Sequence, residues 1–136
     1  MSRENVEIVR RIYDAAARRD DTTAFEIYAE DIVFDVSHVR TAFLYTQSVY
    51  HGHEGVRQVW REGLDAFGEI DMEPQELVDA GDQVVAVVRE RHAGRTSGAR
   101  VESAHTAVWT LAETRVTRVE MFEDHDQALE AVGLRE

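Results

Sequence analysis

Val49-Tyr50-His51-Gly52-His53-Glu54-Gly55-Val56-Arg57 is the stretch on which the fold turns. It leaves a short β-prone segment over 48–51 and enters a run where Val56, Val59, Trp60, Leu64 and Phe67 recur at helical spacing. A helix over 54–67 therefore presents one apolar face to a sheet. Gly52 and Gly55 bracket a tight strand-to-helix junction.

Towards the N-terminus, Ser2 is placed to cap a first helix with the stripe Ile8, Val9, Ile12, Tyr13, Ala16 and Ala17. Arg18, Arg19, Asp20 and Asp21 end it in solvent. Thr23 followed by Glu26 reads as a capping box for a short helix that buries Phe25 and Tyr28 and stops at Asp31. Residues 32–36 are β-branched and aromatic enough for a first strand. The connection over 37–47 is too long for a simple turn, and loops of this length often carry function.

Towards the C-terminus the period changes at Glu76. The runs 77–91, 101–111 and 116–123 are strand-like. Gly81-Asp82 interrupts the first, 94–98 joins it to the second, and Ala112-Glu113-Thr114 makes a tight hairpin to the third. Asp124, three residues before Gln127, caps a terminal helix that ends at Gly133. Helices and short strands followed by an antiparallel meander call for an α+β layer structure.

A chain of 136 residues is read as one domain spanning 1–136, long enough to bury about two-thirds of its unfolded surface. Apolar residues make up 43% and charged residues 31%, which is globular composition. Against 27 acidic residues stand 15 basic ones, and the net charge of −12 repels nucleic-acid backbones and anionic membranes. Cysteine is absent, so no disulfide, thiolate nucleophile or Cys-ligated metal enters. Without an apolar leader or a span-length apolar run, the expectation is a soluble, cytoplasmic protein that partners neither nucleic acid nor membrane.

Two stretches carry a family resemblance: 25–67, with Phe25-Glu26-Ile27-Tyr28-Ala29-Glu30-Asp31 and Tyr50-His51-Gly52-His53-Glu54-Gly55-Val56-Arg57, and 101–134, closing on Phe122-Glu123-Asp124-His125-Asp126-Gln127-Ala128-Leu129. The chain resembles the SnoaL-like branch of the NTF2-like superfamily, which also includes ketosteroid isomerase. The resemblance implies an α+β cone, with a curved, mostly antiparallel mixed sheet wrapped around three N-terminal helices and a short C-terminal helix. It also implies a pocket for a small hydrophobic molecule, a homodimer formed through the sheet, and chemistry without a cofactor. Tyr13 lies eight residues before Asp21, similar to ketosteroid isomerase spacing. That family's base would fall on Val36, one residue from Asp35, and its second acid near Ala107, which argues against ketosteroid isomerase activity. SnoaL-type polyketide cyclases carry an acid/base Asp near the end of the last strand, where Glu123 stands. Asp124 is the rival match, but its place before Gln127 suits a cap.

Strand parity nominates further residues. Val101, Ser103, His105, Ala107, Trp109 and Leu111 share the more apolar face, so His105 is predicted to point inward, either as a proton relay or as a core histidine. Asp35 shares a face with Val33 and has His38 at i+3; a carboxylate buried there is a usable base or acid. Val119, Met121 and Glu123 share a parity. Tyr13 suits hydrogen bonding to an oxyanion, or core packing. Tyr28, Trp60, Phe67, Trp109 and Met121 suit the wall of a ring-binding pocket, and Arg89 would pair Asp35 or Glu123 if it turned inward. His51, His53, His92 and His125 lack His-Glu-x-x-His spacing, so no metal site is assigned. The glycines over 94–98 lack the setting of a phosphate loop, and no Gly-x-Ser-x-Gly elbow exists.

These residues support acid/base isomerisation or cyclisation of a ring-bearing, polyketide- or steroid-like ketone, with Asp35 or Glu123 shuttling a proton, His105 assisting and Tyr13 polarising the carbonyl. The alternatives are water attack on an epoxide by Asp35 with Arg89, a non-catalytic ligand-binding module, and a structural dimer.

Overall fold

Apolar residues at helical spacing make α1, Ser2–Ala17, whose buried side holds Ile8, Val9, Ile12, Tyr13 and Ala15. The computed structural model describes residues 2–39, 42, 44–93 and 100–134. The hairpin expected over 94–98 lies outside the described residues. After α1 come α2, Asp21–Ile27, β1, Tyr28–His38, β2, Val49–His51, and α3, Gly52–Phe67. The meander follows as β3, Ile70–Ala80, β4, Gln83–Ala93, β5, Arg100–Ala112, and β6, Arg115–Phe122, and α4, His125–Ala131, closes the fold.

The six strands form one open sheet in the order β2-β1-β6-β5-β4-β3. All neighbours are antiparallel except β1 and β6, which run parallel. This is the α+β cone that the resemblance implies. The inner face of the sheet carries Ile32, Phe34, Val36, Val84, Ala86, Val88, Ala107, Trp109 and Val119, packed against α1, α2 and α3. Val85, Val108 and Phe122 lie on the outer face beneath Ala128 of α4. No helix among the described residues is long and apolar enough to cross a membrane.

Several boundaries differ from the sequence reading. Asp20, not Thr23, caps α2: its carboxylate accepts from Thr23 N (3.3 Å) and Thr23 Oγ1 (2.7 Å). These hydrogen bonds hold the Asp20 carboxyl below its usual range. The helix ends at Ile27, and Tyr28 already belongs to β1. The run 77–91 divides at Gly81-Asp82, as the sequence reading expected, but β3 starts earlier, at Ile70. Pro74 is tolerated there because β3 is an edge strand with a register shift beside it. Asp124 does cap α4, accepting from Asp126 N at 2.9 Å. Gly133 (φ 75°) follows, with Leu134 N bonded to Leu129 O, the left-handed helix ending that the sequence reading placed there.

The decisive junction is tight for a measurable reason. Gly52 has φ 73°, in the left-handed region. A Cβ on Gly55 would lie 3.1 Å from the Tyr50 carbonyl carbon and 3.2 Å from Tyr50 Cβ, so the first turn of α3 rests directly on β2. The buried stripe of α3 is Gly55, Val56, Val59 and Gly63, with Trp60 and Phe67 half-buried. Leu64, expected on that stripe, is 50% exposed. The helix turns slightly more towards its glycines than its large apolar residues suggest.

One hydrogen-bond cluster, invisible in sequence, ties the connection between β1 and β2 to α3. The Glu62 carboxylate accepts from Thr46 N (2.9 Å), Thr46 Oγ1 (2.7 Å), Tyr50 OH (2.5 Å) and Gln58 Nε2 (2.9 Å). Desolvation pushes the Glu62 carboxyl up, and these donors together outweigh it and bring it down to about 2. Tyr50's phenol is pushed up, by burial first and by its bond to Glu62 second.

Two outcomes follow from this packing. Gly55→Ala forces Tyr50 and β2 to give way and lowers stability by about 1–2 kcal/mol, the usual range for overpacking, read by urea denaturation. Because the folded-state Glu62 carboxyl lies below its unfolded value of about 4.5, its contribution is present above that pH and is lost as pH falls towards 2. Glu62→Gln should therefore be less stable than wild type at pH 7, by on the order of 1 kcal/mol, with the difference shrinking as urea curves are taken to lower pH.

Candidate functional site

Alternation along β4 and β5 builds the centre of the inner face. Val84, Ala86, Val88 and Glu90 point one way from β4, and His105, Ala107, Trp109 and Leu111 point the same way from β5. His105 pairs with Val88, which brings its ring beside Glu90 one pleat further on. His105 Nδ1 lies 2.8 Å from Glu90 Oε2. His105 is only 5% exposed, and its Nε2 is buried with no hydrogen-bond partner among the described residues.

Burial pushes the Glu90 carboxyl up, but the hydrogen bond from His105, with the charges of His105 and His92, holds it below its ordinary value. Glu90 is thus ionised at neutral pH and only accepts, so Nδ1 of His105 carries a proton. In the neutral ring Nε2 is then a bare lone pair facing the interior. A buried acceptor of this kind costs about 1–3 kcal/mol until something pairs with it.

Tyr13 stands nearby on α1. Trp109 Nε1 donates to its hydroxyl at 3.1 Å, and the two rings meet edge to face with centroids 5.5 Å apart. Burial drives the Tyr13 phenol well above its usual range; the Trp109 bond opposes this and the Glu90 charge adds to it. Tyr13 is a neutral hydroxyl with its own proton still to donate. Tyr28, buried at the start of β1, stacks on Trp109 at 6.4 Å and lies 6.2 Å from Trp60. Phe67 lies 5.5 Å from His92, and Met121 packs half-buried against the same core. A groove of about 390 Å³ opens between α1 and β3, lined by Tyr13, Asp14, Met72 and Pro74 among others; neither His105 nor Glu90 lines it.

The structure therefore brings Tyr13, Tyr28, Trp60, Phe67, His105, Trp109 and Met121 to the inner side of the sheet. The other nominated residues lie elsewhere. Asp35 is buried, 5% exposed, but on the outer face, because Ile32, Phe34 and Val36 take the inner one. Its carboxylate accepts from Ser37 N (2.8 Å), Ser37 Oγ (2.6 Å) and Arg118 (3.1 Å). His38 stacks on Phe122 at 4.5 Å, with Nε2 3.6 Å from Asp35 and 3.8 Å from Glu120. Asp35, His38 and Glu120 offer ligand atoms within 4.8 Å of one another, a spacing that suits a metal ion. Arg118 pairs with both carboxylates, at 3.1 and 3.4 Å, and ties them into one ion-pair network.

Arg89 is exposed, 4.0 Å from Glu102, and does not meet Asp35 or Glu123. Glu123 is exposed past the end of β6, since the strand stops at Phe122 before the alternation reaches it. The four separate histidines do not gather: His51 is exposed, His53 Nε2 lies 2.9 Å from Tyr28 O, His92 lies against Phe67, and His125 lies 3.4 Å from Thr106 Oγ1. Glu90 is the residue that sequence reasoning missed. The parity that turns His105 inward also turns Glu90 inward, through Val84, Ala86 and Val88.

Comparison with known proteins supports the same architecture. The model of the SnoaL-like domain family matches residues 9–119. A search among curated proteins finds no match. Among solved structures, an NTF2-like protein from Burkholderia pseudomallei is similar with a TM-score of 0.78 and 21% identity, over 96% of this chain and 98% of that one. TerC, crystallised with polyporic acid, is similar with a TM-score of 0.79 and 19% identity, over 95% and 98%. A protein assigned as a SnoaL-like polyketide cyclase from Jannaschia is similar with a TM-score of 0.72 and 18% identity, over 99% and 95%.

The Glu90–His105 pair has a direct test. His105→Ala removes the donor that offsets desolvation, so a carboxyl-detected NMR titration should find Glu90 below the ordinary carboxylate range in wild type and above it in the variant.

Proposed function

The chain belongs to the SnoaL-like domain family, and on that premise we propose that it binds a hydrophobic, ring-bearing ketone between helices and sheet and moves a proton on it without a cofactor, as an isomerase or cyclase. The observation that carries this reading is the buried, unpartnered Nε2 of His105 behind an Nδ1 held by Glu90. A neighbour assigned as a polyketide cyclase lends support to a substrate of the polyketide kind, and another crystallised with polyporic acid supports a ring-bearing one.

His105 Nε2 takes a proton from the carbon beside the carbonyl. The C–H electron pair becomes the new carbon–carbon π bond, and the carbonyl pair moves onto oxygen, where Tyr13 donates a hydrogen bond. Glu90 stabilises the imidazolium and keeps the ring oriented. Return of the proton to another carbon gives an isomer. Attack of the enolate carbon on a second carbonyl of the same molecule, with the imidazolium proton passing to the new alkoxide, gives a ring. Asp35 and Glu123 have no part in this scheme, and the epoxide reading loses the Asp35–Arg89 pairing it requires. The family resemblance implies dimerisation through the sheet; a partner on its outer face would cover Asp35, His38 and Arg118.

The test is exchange of the α-hydrogens of 2-tetralone for deuterium in D2O, followed by NMR. Wild type should accelerate exchange, His105→Ala should lose at least ~100-fold, and Glu90→Gln about 10-fold. Asp35→Asn should stay within about twofold, as expected for a residue remote from the reacting atoms. Exchange that persists in His105→Ala, or a wild type no faster than buffer, overturns the reading.

A further inference from the structure

The groove between α1 and β3 lies on the two rows of the sheet that carry the Glu90–His105 pair. Across the ladders, Met72 stands opposite Glu90, and Pro74 stands opposite Val88, which in turn stands opposite His105. Directly paired residues put their side chains on the same face, and neighbouring strands are about 4.8 Å apart. Met72 is thus one strand from Glu90, and Pro74 two strands from His105. Both line the groove, and Met72 also packs half-buried against the inner core. Glu90 is the more accessible member of the pair, its side chain keeping 20% exposure against 5% for His105, so the approach to the pair runs past Glu90.

At about 390 Å³ the groove has the size of a small-molecule cleft. Tyr13, whose hydroxyl the proton-transfer scheme uses, belongs to its α1 wall together with Ala16 and Ala17. Its charges balance, with Arg19, Arg89 and Arg91 set against Asp14, Asp71 and Glu73. In a chain of net charge −12, such a mouth favours an uncharged ligand over an anion. Arg19 bridges the mouth from the end of α1 to β3, reaching Ile70 O at 3.4 Å and Asp71 at 3.2 Å. Met72, by contrast, is unbranched and turns about its side-chain bonds, so it clears the way to Glu90 without moving the backbone.

Resting on the proton-transfer reading above, we propose that this groove is the port by which the ketone reaches His105, and that Met72 is its gate and sets the width of ring that passes. Met72 takes no part in the chemistry; it determines which rings arrive. An uncharged, flat ring enters edge on between Pro74 and the α1 wall, displaces the Met72 side chain, and brings its carbonyl to Tyr13 and its α-carbon to Nε2 of His105.

The chain has no cysteine, so a single introduced thiol can be labelled at the gate. Met72→Cys is compared with itself before and after reaction with benzyl methanethiosulfonate, which adds a ring through a disulfide and is removed by dithiothreitol. Two probes are read on the intact chain: deuterium exchange of 2-tetralone, and the association rate of 2-naphthol, a planar stand-in for its enol, by stopped-flow fluorescence. Labelling should lower kcat/KM for exchange and the association rate by at least ~10-fold each, and dithiothreitol should restore both. The same label on Glu7→Cys, on the exposed side of α1, should change neither; equal slowing there overturns the port. Met72→Ala should favour the tetrahydrophenanthren-2-one that adds a third ring to 2-tetralone, raising its kcat/KM relative to 2-tetralone about 10-fold. An unchanged ratio overturns the gate.

A labelled Met72→Cys protein that exchanges and binds at its unlabelled rates, beside a His105→Ala protein without exchange, overturns the port and leaves the base intact. If wild type binds 2-naphthol without exchanging 2-tetralone, the base reading falls. The association rate then decides the port: slowed by the label supports it, unchanged overturns it. Absence of both binding and exchange overturns both. Should Met72→Cys fail to fold, the label on Ala17→Cys, which lines the groove from α1, decides in its place, and unchanged rates overturn the port.

Discussion

A single buried hydrogen bond, Glu90 to His105, sets the character of the molecule. A carboxylate taken out of water is costly unless it is paired in good geometry. Here the pairing comes from the β4–β5 ladder, which runs from Gln83↔Thr110 to Ala93↔Arg100 with no register shift. The ladders of β3–β4, β5–β6 and β1–β6 each contain an irregularity. The long, unshifted β4–β5 ladder thus holds the pair in place. Burial first, with the charge of Glu90 adding to it, pushes the phenols of Tyr13 and Tyr45 up.

The sheet separates two polar systems. On its inner face the Glu90–His105 pair leaves a nitrogen unmet, beside a wall of aromatic rings. On its outer face Asp35, Arg118, Glu120 and His38 satisfy one another. An unmet buried nitrogen is a place for a ligand, whereas an ion-pair network of this kind is a structural device. Glu62 extends the same logic to the rim: its donors tether the connection that carries Tyr45 to the helix that covers the sheet.

The sequence was informative where one periodicity dominated. His105 sits among Ala107, Trp109 and Leu111, so its parity read correctly, and the Gly52 to Gly55 junction announced itself through glycine spacing. Asp35 was harder, because both parities of residues 32–36 are apolar and only the tertiary packing decides which faces the helices. Glu90 was hidden between Arg89 and Arg91, which make the segment look solvated. Glu123 was misplaced by a strand that ends one residue earlier than its pattern. The contacts of Trp109 with Tyr13, and of Glu62 with Thr46, join residues far apart in the chain or in loops, where no local period speaks.

The central claim is that, in the neutral ring of His105, Nδ1 carries the proton and Nε2 is the bare lone pair facing the interior. Long-range 1H–15N correlation of the histidine rings at about pH 8, above the ordinary imidazole range, tests it most directly. The account predicts a proton on Nδ1 of His105 and none on Nε2. A ring protonated on Nε2, with Nδ1 bare, would be unable to take a proton from the interior and would contradict it.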